Sequence, residues 1–384
     1  MIRVADITSS LARRQDFASS ALFAQAQRQQ QLVLQFSGYD AAQRTRLTQL
    51  CHQLDGTFQV DDAQLTVLLT QAAGRLMAQR WADFFSDQVQ VQIQLTQIMK
   101  QYAVIWQAGT HRFDLTTRPM IYGIMNITPD SFYDGGRYTT MDDVLAHVDA
   151  MLQAGADVIE VNGQTTRPGF TPVSPEVELE RTLPYIRAIK ARFPEAVIAV
   201  DTYKYPVMAA LLKEGVSIIN DVNAFTDDPR KLELMADSNV GLLTMHSSRD
   251  REYSDLTSSM FSFFEQNLNA LTSAGIDIER IALDQGIGYS QVAHGEQDYV
   301  MMRNVDQFNA LRRPMMVAIS RKGYLGLLLG LKKEDRLPMT LVAETTMMLR
   351  GGRILRVHDV AETKQMVTLL DRIENGYWLV SDHD

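Results

Sequence analysis

Eight short apolar runs punctuate this chain, ending near Asn126, Asn162, Asp201, Asp221, Met245, Asp284, Ser320 and Val357. The first, at 120–125, has no polar group except the Tyr122 hydroxyl and is too short for a membrane span. It reads as a strand buried on both faces, the habit of a parallel sheet. Most segments between the runs carry helical periodicity. The clearest is DDVLAHVDAMLQAGA, where Val144, Leu145, Val148 and Leu152 share a face and Gly155 can cap the end. Eight strand-then-helix units in about 260 residues is the length of a TIM (β/α)8 barrel, whereas a doubly wound sheet usually needs fewer strands. After Asn126 the chain breaks into Thr128, Pro129, Asp130, Ser131, Asp134, Gly135 and Gly136, a loop that continues neither strand nor helix. Polar loops leaving the carboxyl ends of buried parallel strands are where such folds hold ligands.

Upstream the chain changes character: residues 1–100 hold nineteen glutamines, no glutamate and three of the chain's 22 glycines. That break predicts a small α+β module at 1–102, of unknown role, before a barrel domain at 103–384. Within it, Leu47, Leu50, Cys51 and Leu54 fall on one helical face, as do Leu65, Leu68, Leu69, Ala72 and Leu76. Residues 32–36 read as a strand, and so do 88–95, where glutamines alternate strictly with Val89, Val91, Ile93 and Leu95. A hairpin at 103–107 and 111–115 is expected to close the bottom of the barrel.

With 384 residues, 46% of them hydrophobic, the chain is long enough for a barrel plus a smaller domain. Its net charge of -9 argues against nucleic acid or an anionic membrane as partner. Any anionic substrate must therefore meet a local cluster. Cys51 is the only cysteine, so neither a disulfide framework nor a thiolate metal site can form, which fits a reducing compartment. The opening segment carries Asp6, Arg13, Arg14 and Asp16 where a secretory signal needs an apolar stretch, so a soluble cytoplasmic protein is expected.

In a closed barrel the strand ends converge on one mouth. Standing there are Asn126; Glu160 and Asn162; Asp201; Asn220 and Asp221; His246; Asp284; Ser320, Arg321 and Lys322; and Arg356 and His358. Any one of them could be a helix cap or a turn residue. Polar groups at all eight ends are harder to explain by caps, because a desolvated mouth makes each unpaired charge costly. A flat heterocycle with donors and acceptors around its edge would satisfy such a ring.

The loop motif, Asn126-x-Thr128-Pro129-Asp130-Ser131-Phe132, resembles the signature of the dihydropteroate synthase family. Further motifs resemble that family in its order: TTRPG at 165–169, VDTYK at 200–204, IINDV at 218–222, LDQGIG at 283–288, SRK at 320–322 and RVHDVAET at 356–363. The likeness spans residues from about 105 to 376. It departs at Glu160, Asn162-Gly163 and Gln164-Thr165, where the family usually has Asp, Gly-Gly and Glu-Ser, and at Gln285, which replaces a common proline.

The resemblance implies a magnesium-dependent enzyme that joins 6-hydroxymethyl-7,8-dihydropterin pyrophosphate to p-aminobenzoate in folate synthesis, with a homodimer expected. It places Asp201, Asn220 and Asp284 on the pterin edge and Lys322 on the ring's carbonyl side. Asn126, Arg356 and His358 face the diphosphate, with Asn126 also giving an oxygen to magnesium. Thr166 and Arg167 form part of the p-aminobenzoate site, and Ser320 and Lys322 line the rest. A methyltetrahydrofolate–corrinoid methyltransferase shares the Asp/Asn/Asp edge, but it does not need Arg356, His358 or the Thr-Pro-Asp-Ser-Phe loop. A non-catalytic pterin-binding paralogue is the reading from another class, and retention of Asn126, Lys322, Arg356 and His358 speaks against it.

Overall fold

The computed structural model describes residues 1–127, 140–164, 171–247, 253–289 and 295–380. The chain divides into two compact units, one of residues Val104–Leu369 and one that combines Met1–Ala103 with the C-terminal segment from Leu370.

The larger unit is the expected barrel. Eight parallel strands close on themselves: Met120–Asn126, Val158–Asn162, Ile198–Asp201, Ile218–Asp221, Gly241–Met245, Ile281–Asp284, Met315–Val317 and Gly352–Val357. Most are buried at every position, as strands covered by helices outside and side chains inside must be. The register sets Asn126 opposite Asn162, Asp201 opposite Asn220, and Met245 opposite Asp284, so the polar ends lie at one level. The seventh strand stops at Val317, short of the expected Ser320. Its pairing with the last strand shifts between Met315 and Met316, and the chain turns where Arg321 adopts a left-handed φ of 52°. Ser320 and Lys322 therefore stand on a turn above the mouth.

The hairpin forms at Ile105–Ala108 and His111–Asp114 and plugs the opposite end. Trp106 is fully buried among interior residues Met120, Tyr122, Ala199 and Ile354, and its indole donates to the Arg280 carbonyl at 2.9 Å. A Cβ on Gly241, at the start of the fifth strand, would sit 2.8 Å from the Ala108 Cβ, so the hairpin's approach requires glycine.

In the smaller unit, Arg3–Asp6, Gln31–Ser37, Gln64–Thr70 and Thr57–Val60 make an antiparallel sheet in that order. Two expectations fail there. Residues 88–95 are not a strand but the start of the helix Val89–Lys100. Val91, Leu95, Ile98 and Met99 are buried at helical spacing while Val89 and Ile93 face solvent, so packing overrides a local alternation that only half of the apolar residues serve. Leu65 and Leu69 lie not on a helix but in a strand with Val67, and the following helix, Gln71–Phe84, buries Ala73, Met77 and Trp81 instead. The helix carrying Leu47, Leu50 and Cys51 forms as expected at Ala41–Gln53, and burial pushes the Cys51 thiol up to about 12. The C-terminal segment departs from the expected division at 103–384. Tyr377 pairs with the Thr70 hydroxyl at 3.2 Å, and Val380 exchanges two hydrogen bonds with the Gln53 amide.

One buried carboxyl outside the mouth has a measurable consequence. Glu344, on the helix Leu337–Leu349, is fully buried, and burial, reinforced by Asp359, pushes its pKa up to about 8. The folded chain holds this proton after the unfolded chain has lost it. The contribution to stability is thus complete below about pH 4.5 and declines as pH rises to about 8, by about 1.4 kcal/mol per unit at most. Glu344→Gln is expected to flatten that part of the profile. Parallel pH curves for the two proteins in chemical denaturation would reject the assignment.

Candidate active site

The second strand delivers the residue at the centre of the mouth. Asn162 donates from Nδ2 to Asn126 Oδ1 at 3.3 Å and to Glu160 Oε1, and its Oδ1 accepts the Asp201 amide N–H at 3.1 Å. Glu160, fully buried, receives the Arg356 guanidinium: Nε lies 3.1 and 3.0 Å from its two oxygens, and Nη2 bonds Oε1 as well. Burial works against the Arg356 charge, but Glu160 outweighs it and the guanidinium is held more firmly protonated than usual. The same Nη2 lies 3.7 Å from Asp201 Oδ2. Arg356 thus flanks the Asp201 carboxylate from the eighth strand.

Asp201 and Asp284 end their strands, Asn220 is the last residue but one of its own, and each is nearly inaccessible. Burial pushes Asp201 up to about 7; Arg356 pulls the other way, and Glu160, Glu178 and Asp284 add to the rise. Asp284 is raised as well, mainly by burial, although its Oδ1 accepts the Gly286 N–H at 2.9 Å and Lys322 pulls it back. The Asn220 Oδ1 is buried without a hydrogen-bond partner among the described residues. A buried amide oxygen without a protein partner, on the strand beside Asp201, together with two carboxyls raised by burial, makes this edge a candidate for ligand recognition.

Lys322 extends over the sixth loop, donating to the Ile287 carbonyl with its Nζ 5.4 Å from the Tyr289 ring centroid. Ser320 Oγ accepts the His358 amide at 3.2 Å and lies 3.0 Å from its Nδ1, which joins the seventh and eighth strand ends. Thr166 and Arg167 lie outside the described residues. The described residues on either side of them are tied together by a group that sequence reading passed over. Lys204 Nζ reaches Gln164 Oε1 and Glu178 Oε2, both at 2.6 Å, and Gln164 also accepts the Val173 amide at 2.9 Å. The signal was the lysine of VDTYK with the Gln164 departure; the buried Glu178 partner sits in the next helix.

Other members of the polar ring are engaged by neighbouring helices and loops. Asp221 binds the buried Lys231 at 2.8 Å and the amides of Asn223 and Phe225, which supports a turn with positive φ at Ala224 and Phe225. Arg321 forms a two-point pair with Asp359 and donates to the carbonyls of Lys333 and Glu334. His246 packs edge-on to Phe263 at 5.1 Å and lies 3.3 Å from the Tyr253 hydroxyl. Gln285 donates to the Met301 carbonyl, a structural use of the position where proline is common.

Among the described residues no cluster of three His, Cys, Asp or Glu side chains could cage a metal. Magnesium does not require such a cage: it keeps several waters and takes one or two protein oxygens together with substrate phosphates. Asn126, half-buried at the mouth, offers one such oxygen, so the donor chemistry fits that mode.

A family model described as pterin binding enzyme matches residues 122–358. The dihydropteroate synthase of Bacillus subtilis is 36% identical over 258 residues, covering 67% of this chain and 90% of that protein. Among solved structures, the Xanthomonas albilineans dihydropteroate synthase with 4-aminobenzoic acid superposes with a TM-score of 0.63 at 34% identity, over 68% of this chain and 95% of the other. The Burkholderia cenocepacia enzyme complexed with 7,8-dihydropteroate gives 0.63 at 28% identity, over 71% and 97%.

Proposed function

This chain belongs to the dihydropteroate synthase family of pterin-binding enzymes, and from that premise we propose how its mouth condenses 6-hydroxymethyl-7,8-dihydropterin pyrophosphate with p-aminobenzoate to give 7,8-dihydropteroate and pyrophosphate. The observation that carries the reading is the edge formed by Asp201, Asn220 and Asp284. An aminopyrimidinone ring presents adjacent N–H donors, which a carboxylate accepts in pairs, beside a carbonyl and a ring nitrogen, and Asn220 matches such mixed edges. Lys322 serves the carbonyl side. Arg356, His358 and Asn126 serve the diphosphate, with Arg356 shared between that anion and the Glu160–Asp201 carboxylates. Thr166, Arg167 and Ser320 serve p-aminobenzoate.

In the reaction the bond from the exocyclic methylene to the diphosphate oxygen breaks, and the positive charge left on carbon spreads into the pterin ring. Asp201 and Asp284, already in place, stabilise that charge without reorganising. The arylamine nitrogen then bonds to the methylene and gives up a proton. No enzyme nucleophile is needed, consistent with a mouth that presents carboxylates, amides and cations. Bound magnesium, held through Asn126, would neutralise charge on the departing pyrophosphate.

A cytoplasmic location is supported by a lone cysteine that is buried, and among the described residues no helix is long and apolar enough to cross a membrane. A homodimer is supported by Leu327, Leu328 and Leu329 on one barrel helix and Val342 and Leu349 on the next, all exposed.

The deciding experiment is pyrophosphate release by the purified chain with the pterin diphosphate, p-aminobenzoate and magnesium. Release is expected to require all three. Binding of the pterin without release under any condition would turn the reading to a non-catalytic pterin-binding protein.

A further inference from the structure

We propose that Asn162 is a positioning residue that keeps the diphosphate half and the pterin half of the pocket in register. The proposal rests on the dihydropteroate synthase reading and adds a residue to which that reading gives no role. Asn162 ends the second strand, between the strands that carry Asn126 and Asp201, and it is 2% exposed. Both ends of its side chain are engaged. The amide N–H groups go to Asn126 Oδ1 and Glu160 Oε1, and the amide oxygen takes the Asp201 N–H. Its main-chain carbonyl also accepts from Ile127 N at 3.2 Å, where the first loop leaves the barrel. One side chain thus ties the backbone at the pterin carboxylate to the side chain expected at the diphosphate, and through Glu160 to the guanidinium between them.

The polarity of these bonds matters. With its N–H groups committed to Asn126 and Glu160, Asn162 fixes the Asn126 amide with its oxygen toward the second strand, which leaves that oxygen a second lone pair for a ligand. A glycine here leaves Asn126 to rotate freely and the two strand ends joined by backbone pairing alone. Fixing two subsites at the spacing of one ligand helps most when that ligand carries both recognition groups, since the second contact is then made within a single complex.

The test is calorimetry on Asn162→Ala with three probes: a dihydropterin lacking the diphosphate, inorganic pyrophosphate with magnesium, and the intact pterin diphosphate with magnesium. Each half alone is expected to lose affinity by about threefold or less, and the intact ligand by at least about thirtyfold, more than the product of the two smaller losses. A merely structural residue would lower the melting temperature and give an intact-ligand loss no greater than that product, which overturns the proposal. Asn162→Asp keeps the acceptor for the Asp201 N–H but cannot donate to Asn126. Because that carboxylate would also face Glu160 and raise the Asp201 pKa further, the pterin fragment is expected to weaken too in Asn162→Asp. The neutral Asn162→Ser, whose single hydroxyl cannot bridge Asn126 and the Asp201 N–H together, carries the test should the alanine variant fold poorly, with the same excess loss for the intact ligand over the product of the two fragment losses. If the unsubstituted chain binds neither half, the functional reading fails; if it binds both and the variants show no excess loss, only the role of Asn162 fails.

Discussion

Asp201→Asn is expected to weaken pterin binding by about 2–4 kcal/mol, or roughly 30- to 1000-fold, because an amide places a donor against ring N–H groups that need an acceptor in a site water cannot reach. The substitution should also change the response to pH. In the ligand-free protein burial raises the Asp201 pKa to about 7, so near neutrality much of the population carries a carboxylic acid that accepts one bond fewer. The sign follows. A raised carboxyl stabilises the empty protein at low pH, and this contribution declines as pH climbs from the ordinary carboxylate range to about 7. The pterin prefers the ionised form, so its affinity should rise with pH toward about 7, with up to one proton released for each ligand bound inside that window. An amide at this position cannot titrate, and the variant should keep only the part of the slope due to Asp284, whose pKa is raised in the same direction. Titration calorimetry across pH 5.5–8, in two buffers of different ionisation enthalpy, reads both effects. A folded variant with parental affinity and slope would remove Asp201 from the pterin edge.

The parts of this protein that sequence could and could not disclose differ in how far apart their determinants lie. Barrel strands announce themselves locally: a run such as 120–125 is apolar throughout because it is covered on both faces, and it stops where Asn126 reaches the mouth. The smaller unit misleads because its signals are short. Eight residues of glutamine–apolar alternation satisfy a strand period, and only Ile98 and Met99, beyond that window, reveal the helical face. In the mouth, residue type and position were legible but commitment was not. Asp201 and Asp221 look alike at two strand ends, yet Asp221 is neutralised by Lys231 on the following helix. Arg321 and Arg356 both follow apolar runs, but Arg321 is drawn out of the mouth by Asp359, 38 residues on, and Arg356 is turned inward by Glu160, 196 residues back. The Tyr377 hydroxyl finds its partner at Thr70, 307 residues earlier, so no local pattern could assign the C-terminal segment to the first unit.

The Glu160–Arg356 pair joins stability to binding, so removing its carboxylate should disturb both. Glu160→Ala leaves a guanidinium buried with Asp201 at 3.7 Å as the nearest carboxylate among its ion pairs. Breaking one side of a buried pair costs about 3–5 kcal/mol, because the remaining charge loses its partner and stays out of water. Glu160→Gln should cost less, since the amide oxygen still accepts from Arg356. Both substitutions also act on Asp201. They remove a negative neighbour that raises its pKa and release the positive one that lowers it, so the Asp201 carboxyl should titrate below its present value near 7. The pH midpoint for pterin affinity should then move downward in both variants, even as chemical denaturation shows a less stable barrel. Loss of stability without that shift would mean that neither Glu160 nor the freed Arg356 sets the titration of Asp201. Unchanged stability in the alanine variant would show that the ion pair does not hold the two strands together.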